Sequence, residues 1–244
     1  MKTVVIYKWA RDVQNASVRA DGTIDWRGEK VVPGEDDPAA VAAALELTGP
    51  DDELIGLTIG AGDASWALAR GVPRAVSVTD APFSPDDASV TAMILAAAVA
   101  HIGDVDVVVI GDATEFPGVA PTLAGRLGAV CLTQVLTAGP DTGGGVNVSR
   151  QNGDMIEYLR APIPVVLGVC ALGADTRRPG MKEQLAARKR PVTKLTLADL
   201  DVTAPRTVTA TGLRPPEATE ARVFSGDDAA ADLIAALRSE GVLS

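Results

Sequence analysis

The apolar segment VVVI at residues 107–110, with the GD that follows at 111–112, decides the fold class. A strand with one face in water alternates apolar and polar residues. This run does not alternate, as expected of a strand buried on both faces of a parallel sheet. Similar runs, VVIY at 4–7 and LIGLTI at 54–59, are separated from it by alanine-rich helical stretches. The alternation predicts an α/β fold: an open, mostly parallel twisted sheet with helices on both faces.

The same pattern gives the order of elements along the chain. We predict strands at 3–7, 54–59, 75–78, 105–110, 130–134 and 165–170, and helices at 38–47, 64–70, 85–101, 117–127 and 227–239. QNGD at 151–154 lies between two short strand-like runs, and Asn-Gly predicts a hairpin there. Residues 191–216 are rich in Thr, Asp and Pro, which is typical of an extended arm. We therefore divide the chain into an α/β domain, 1–190, and a C-terminal arm with a terminal helix, 191–244.

Composition excludes several classes of protein. The 244 residues are 47% hydrophobic but only 3% aromatic, so a core packed by small aliphatic side chains is expected. The net charge of −10 opposes binding to nucleic acid or anionic membranes. The longest apolar stretch, 92–100, is too short for a membrane span, which needs about 20 residues. The start resembles no export signal, and the two cysteines form no metal-binding pattern. A cytoplasmic protein without a metal is predicted.

Residues for acid–base or nucleophilic catalysis are scarce. His101 is the one histidine and ends a helical stretch, while Cys131 and Cys170 lie in apolar strand contexts. The carboxylates cluster at turns and helix starts, where capping and solubility explain them. We predict no catalytic residue.

Two glycine-containing loops are candidates for binding phosphate. GAGD at 60–63, with Asp80 further on, imitates a dinucleotide fingerprint but lacks its third glycine and follows the second strand. The loop at 111–118 follows the apolar strand and leads into a helix, whose free N–H groups can receive a phosphate. In open α/β sheets, ligands bind at such strand ends.

The order of these segments resembles the β subunit of electron transfer flavoproteins over nearly the whole chain. The similar segments are VVIYK at 4–8, GEDDPAAV at 34–41, the alanine-rich passage at 67–75, the loop and helix at 111–128, the strand region 159–169, the basic run at 177–191 and LADLDV at 197–202.

The resemblance implies an adenine nucleotide alpha hydrolase-like, Rossmann-like fold and the role of an electron carrier rather than an enzyme. It implies an alpha subunit partner that carries FAD, a flavin-dependent dehydrogenase as electron donor, and AMP in the β subunit, or a second FAD in electron-bifurcating members. The nucleotide-binding positions that it implies are Ile6, Gly34, Asp36, Asp37, Gly60, Asp112, Ala113, Thr114, Gly118, Val119, Ala120 and Pro121. Met181 corresponds to the leucine that anchors the dehydrogenase, and Arg188, Lys189 and Arg190 to the basic residues beside it.

The segments that line the family's nucleotide site differ in this chain. Ala113 and Thr114 stand in a loop where the family has Gln and a run of Asp. Glu35 and Asp36 add negative charge, which disfavours a phosphate beside them. These differences leave three possibilities open for the nucleotide site of this chain: it binds AMP, it binds another ligand, or it binds no ligand. The alternatives are an adenine-nucleotide-binding or regulatory module without a redox role, and an enzyme that uses a nicotinamide cofactor at residues 60–80.

Overall fold

A computed structural model describes residues 1–11, 16–26, 31–60, 62–81, 87–112, 118–172, 176–203 and 222–243. The strands are β1 Lys2–Ile6, β2 Trp9–Arg11, β3 Ser17–Val18, β4 Ile24–Asp25, β5 Val31–Pro33, β6 Glu53–Ile59, β7 Arg74–Val78, β8 Val107–Gly111, β9 Val130–Pro140, β10 Val146–Asn152, β11 Met155–Ala161, β12 Val165–Val169 and β13 Thr193–Leu195. The helices are α1 Asp37–Leu47, α2 Ser65–Leu68, α3 Ala88–Ile102, α4 Val119–Leu127, α5 Met181–Ala187 and α6 Ala229–Ser239.

One nine-stranded sheet organises the described residues, in the order β11-β10-β9-β12-β8-β1-β6-β7-β13. From β9 to β13 along this order, all neighbouring strands are parallel, whereas β9, β10 and β11 pair antiparallel. The predicted open, mostly parallel sheet is confirmed. The chain leaves β1 towards β6 on one side and later returns to β8 on the other. The strand order therefore reverses between β1 and β8, the place where open α/β sheets bind ligands.

The sheet is covered on both faces, which explains the unbroken apolar run in β8. Val108 and Ile110 pack with α3 and α4, and Val107 and Val109 pack with α1 on the opposite face. All five residues of β8 are buried. The helices approach the strands closely because they present alanines, such as Ala40, Ala44, Ala92 and Ala98, each 0% exposed.

The antiparallel end of the sheet is larger than the sequence pattern suggests. The hairpin at Asn152 and Gly153 forms as predicted, with Gly153 at φ 59°. However, β9 continues to Pro140 instead of ending at residue 134, because β10 pairs along its second half. An ion pair of 2.7 Å between Arg150 and Glu157 joins β10 and β11.

The start of the arm is part of the sheet. β13 pairs with β7, and the Thr79 N–H donates to the Leu195 carbonyl at 2.9 Å. Leu195, Leu197 and Leu200 are buried in the core beside α3 and α4. By contrast, no residue of α6 is buried. Residues 204–221 of the predicted arm lie outside the described residues.

Candidate functional site

Most of the candidate nucleotide-binding residues lie along the carboxyl edge of the sheet. Ile6 ends β1 and is fully buried. Asp112 follows β8, and Gly60 follows β6. The segment from Gly34 to Asp37 leads into α1, while Gly118 to Pro121 begins α4. Ala113 and Thr114 lie outside the described residues.

A buried ion pair fixes the start of α1. Asp37 is 0% exposed and Lys8 is 4% exposed, with Asp37 Oδ1 3.6 Å from Lys8 Nζ. The same Nζ donates to the Gly111 carbonyl at 2.9 Å. Asp37 Oδ2 accepts hydrogen bonds from the backbone N–H groups of Lys8 at 2.7 Å and Gly34 at 3.0 Å. Burial raises the pKa of Asp37 to about 6, although the charge of Lys8 opposes the rise.

Helix α1 also packs directly against the end of β8. A Cβ added to Gly111 would lie 2.8 Å from Asp37 Oδ1 and 3.0 Å from the Asp37 amide nitrogen. Asp36 Oδ1 accepts a hydrogen bond of 2.7 Å from the N–H of Ala171, just beyond β12. Both carboxylates therefore point inward and tie α1 to the strand ends. They form a wall of the crevice between β1 and β8 and offer a phosphate no positive charge.

Asp112 links the next strands at the same edge. Its N–H donates to the Val169 carbonyl at 2.8 Å, and its Oδ2 accepts from the backbone N and side-chain Nε2 of Gln134, at 2.8 and 3.0 Å. Gly168 leaves room for the Asp112 side chain, because a Cβ on residue 168 would lie 3.2 Å from the Asp112 carboxyl carbon. Gln134, at φ 57°, was not among the sequence-derived candidates. Its sequence neighbourhood gives no sign of the left-handed backbone that brings it to Asp112.

The start of α4 is the part of the edge that suits an anion. Its N-cap is Gly118, which makes no side-chain cap bond. The first helical hydrogen bond recorded there runs from the Thr122 N–H to the Gly118 carbonyl, at 3.2 Å. The first N–H groups of a helix have no partner within it and carry the positive end of its dipole. Val119 and Ala120 have buried side chains, so an anion at this end would be held by backbone N–H groups. A phosphate fits this arrangement.

Gly60 lies on the other side of β1, directly after β6. It has φ 82°, and its N–H donates to the Val78 carbonyl at 2.8 Å. A Cβ on nearby Gly62 would overlap the Trp9 ring. Asp80 Oδ1 already accepts a hydrogen bond of 2.8 Å from the Leu197 N–H. That bond ties Asp80 to the segment after β13, which weakens the alternative of a nicotinamide ribose site.

The basic residues after α5 have different environments. Arg190 donates to the carbonyls of Leu68 and Val72, each at 3.4 Å, and to that of Pro73. Arg188 Nε lies 3.6 Å from Asp63 Oδ2, and Lys189 is exposed. Arg190 thus attaches this segment to the loop between α2 and β7.

Met181, the candidate anchor, is 79% exposed at the start of α5. Leu185, one helical turn later, is 52% exposed, so the two side chains share a face. Sequence reasoning selected Met181 alone. The spacing of four residues is the signal that identifies Leu185 as its neighbour.

Comparisons with known proteins agree with this geometry. The Electron transfer flavoprotein domain family matches residues 29–200. The chain is 29% identical, over 214 residues, to proteins named electron transfer flavoprotein subunit beta from Mycobacterium leprae and Mycobacterium tuberculosis. Each of these alignments covers 82% of this chain and 80% of the relative. Within the described residues, no helix has the length and apolar character needed to cross a membrane.

Proposed function

Because this chain belongs to the electron transfer flavoprotein family, with beta subunits as its relatives, we propose that it pairs with an alpha subunit that carries FAD. The pair would accept electrons from a flavin-dependent dehydrogenase in the cytoplasm and deliver them to a downstream acceptor. The observation that carries this proposal is the extent of the family match. It runs from residue 29 to residue 200, which includes α1, β8, α4, α5 and β13.

AMP is the nucleotide that we propose for this chain. The α4 start supports it, since the N–H groups at Gly118, Val119 and Ala120 suit a phosphate. Pro121 has no N–H and makes no such contact. Gly34, Asp36 and Asp37 would shape the crevice and hold α1 against β8 without touching the phosphate, because the two carboxylates already accept backbone hydrogen bonds, one of them from the Gly34 N–H.

The chain itself performs no bond chemistry in this proposal. FAD, when bound to the alpha subunit, supplies the reversible acceptance and release of electrons. The residues of this chain bind the partner proteins and orient them for electron transfer. Met181 and Leu185 on α5 would enter an apolar pocket of the dehydrogenase, and Lys189 would steer the encounter. Arg190 would keep α5 in position through its three carbonyl contacts.

The C-terminal residues would bind the alpha subunit. Helix α6 has apolar side chains, among them Leu233 and Ile234 at 44% and 43% exposure, and none is buried within this chain. We place the start of the arm after Val202 rather than after residue 190, because β13 and the leucines that follow it pack with the α/β domain.

Native mass spectrometry of the chain co-expressed with an FAD-bearing alpha subunit tests the proposal. We expect a 1:1 heterodimer with one FAD and one AMP. The chain expressed alone is the control and should carry no FAD. A heterodimer with FAD but without AMP would retain the electron-carrier role and overturn the nucleotide assignment. A chain that forms no flavin-containing complex would contradict the proposal and favour a nucleotide-binding module without redox function.

A further inference from the structure

Two adjoining cavities lie between α2, α5 and the ends of β6, β7 and β13. The smaller, of about 160 Å³, is lined by residues of α2 and by Gln184 and Arg188. The larger, of about 350 Å³, extends past Gly60 and Gly62 to Thr79 and Lys194. Asp63, Ser65 and Arg188 line both. We call the two cavities together the α2–α5 site.

Arg70 is a half-buried cation in this site. Its guanidinium stacks 3.7 Å from the centre of the Trp66 ring, and one nitrogen donates to the Trp66 carbonyl at 3.2 Å. Its Nε is buried and has no hydrogen-bond partner. Among the described residues, no carboxylate forms an ion pair with Arg70. Burial lowers the pKa of Arg70 to about 10, so the guanidinium stays charged at neutral pH.

The charges around the cavities add to a local positive patch. Among the described residues lining the cavities, Arg70, Arg188 and Lys194 contribute three positive charges and Asp63 contributes one negative charge. The whole chain has a net charge of −10. A patch of opposite sign inside a concave surface concentrates anions. A guanidinium also matches the geometry of phosphate oxygens.

We propose that the α2–α5 site binds the phosphate group of a small phosphate monoester. Two cations and one carboxylate line the smaller cavity, and Lys194 in the adjoining cavity adds a third positive charge, which together match a dianion better than a monocarboxylate. The smaller cavity places the phosphate between Arg70 and Arg188, and the larger one holds the organic part beside Gly60 and Val192. The site is distinct from the α4 start, since β6 and β7 lie on one side of β1 and β8 lies on the other.

Asp63 makes the proposal sharply testable. Its Oδ2 faces Arg188 at 3.6 Å, while its Oδ1 accepts from the Ser65 N–H and hydroxyl, at 2.9 and 2.6 Å. The substitution Asp63→Asn keeps a carbonyl oxygen for Ser65 and removes the competing charge. It should therefore tighten phosphate binding, an effect that damage to the fold does not imitate.

The experiment is calorimetric titration of the purified full-length protein with inorganic phosphate and with glycerol 3-phosphate, with Trp fluorescence as a second readout. We expect saturable binding of both, tighter for the ester. Arg188→Gln should weaken it about tenfold, and Asp63→Asn should strengthen it several-fold. Lys189→Gln, the same loss of charge on an exposed neighbour outside the site, should leave affinity unchanged.

Three results would overturn the proposal. One is the absence of saturable binding by the unaltered protein. Another is an equal loss of affinity in Arg188→Gln and Lys189→Gln, which would indicate a general charge effect. The third is weaker binding by Asp63→Asn. If inorganic phosphate binds and the ester does not, the assignment to a monoester is wrong.

Discussion

Lys8 and Asp37 form an ion pair that lies almost wholly out of water. Two buried charges that have lost their hydration stabilise each other, so removal of one leaves the other buried and uncompensated. The carboxylate still accepts two backbone hydrogen bonds, and Lys8 Nζ still donates to Gly111. These contacts hold the ends of β1 and β8 and the start of α1 together. The pair therefore bears on both the stability of the domain and the shape of the crevice.

The pair also makes stability depend on pH. The folded-state pKa of Asp37, about 6, lies above its ordinary value of 3.8. The folded chain thus holds this proton more tightly than the unfolded chain does. As the pH rises from 3.8 to about 6, this group lowers the free energy of unfolding, and above that range its effect is constant.

Lys8→Met tests the arrangement. Without the ammonium, the pKa of Asp37 should rise further, and the free energy of unfolding at pH 7.5 should fall by roughly 3–5 kcal/mol. At pH 5 the Asp37 carboxyl is protonated in the folded variant, so the loss of unfolding free energy relative to the unaltered protein should be smaller. Urea denaturation at both pH values measures it, with Lys189→Met as the exposed control. An equal deficit at the two pH values would show that the charge of Asp37 is not the cause.

The candidate site could be predicted only in part from single residues. Asp36 and Asp37, which the family resemblance implies as nucleotide-binding positions, lie at the start of α1 beside the carboxyl edge of the sheet. Their inward orientation depends on contact with Gly111 and Ala171, which are distant in sequence. Arg70 was missed for the same reason: nothing in its neighbours along the chain indicates that its Nε is buried without a hydrogen-bond partner.

Among the elements, α5 projects from the domain with apolar residues on its exposed face. We expect the double change Met181→Ala and Leu185→Ala to slow electron delivery from the dehydrogenase at least about tenfold, since exposed apolar anchors often dominate such interfaces. The free energy of unfolding should change little, because both side chains are exposed in the folded chain.

Stopped-flow reduction of the purified heterodimer by its dehydrogenase measures this rate. Met155→Ala is the matched control, since Met155 is also exposed, at 65%, but lies on the edge strand β11. If both variants transfer electrons at the unaltered rate, α5 is not the docking element.

Strands with a strong local signal were predictable, and those that depend on a partner were not. The unbroken apolar run of β8 and the Asn-Gly turn each indicate one structure. The second half of β9 contains Gly139 and Pro140, which disfavour strands, and it becomes a strand through its pairing with β10. β13 is three residues long and mostly polar, and it forms through its register with β7.

For the whole molecule, β13 and the leucines after it pack into the domain, whereas no residue of α6 is buried, and we propose that α6 binds the partner. A chain ending after Thr203 retains β13 and its buried leucines, so its unfolding midpoint should match that of the full chain. It should form no stable heterodimer with the alpha subunit, because α6 is absent. Thermal unfolding and size-exclusion chromatography measure the two effects.

A shorter chain, ending after Pro191, is the control. It loses Leu195, Leu197 and Leu200, and burial of each such side chain contributes roughly 1.5–3 kcal/mol, so this chain should unfold at a lower temperature. A heterodimer formed by the chain that ends at Thr203 would show that the C-terminal residues are dispensable for the partnership.

The central position of β1 has a consequence for the chain during its synthesis. β1 leaves the ribosome before both of its neighbours in the sheet, which are residues 53–57 on one side and 107–110 on the other. Val4, Val5 and Ile6, all fully buried in the finished domain, therefore remain without neighbours until most of the first half of the protein has been translated. During that interval β1 is an unpaired apolar segment available to chaperones.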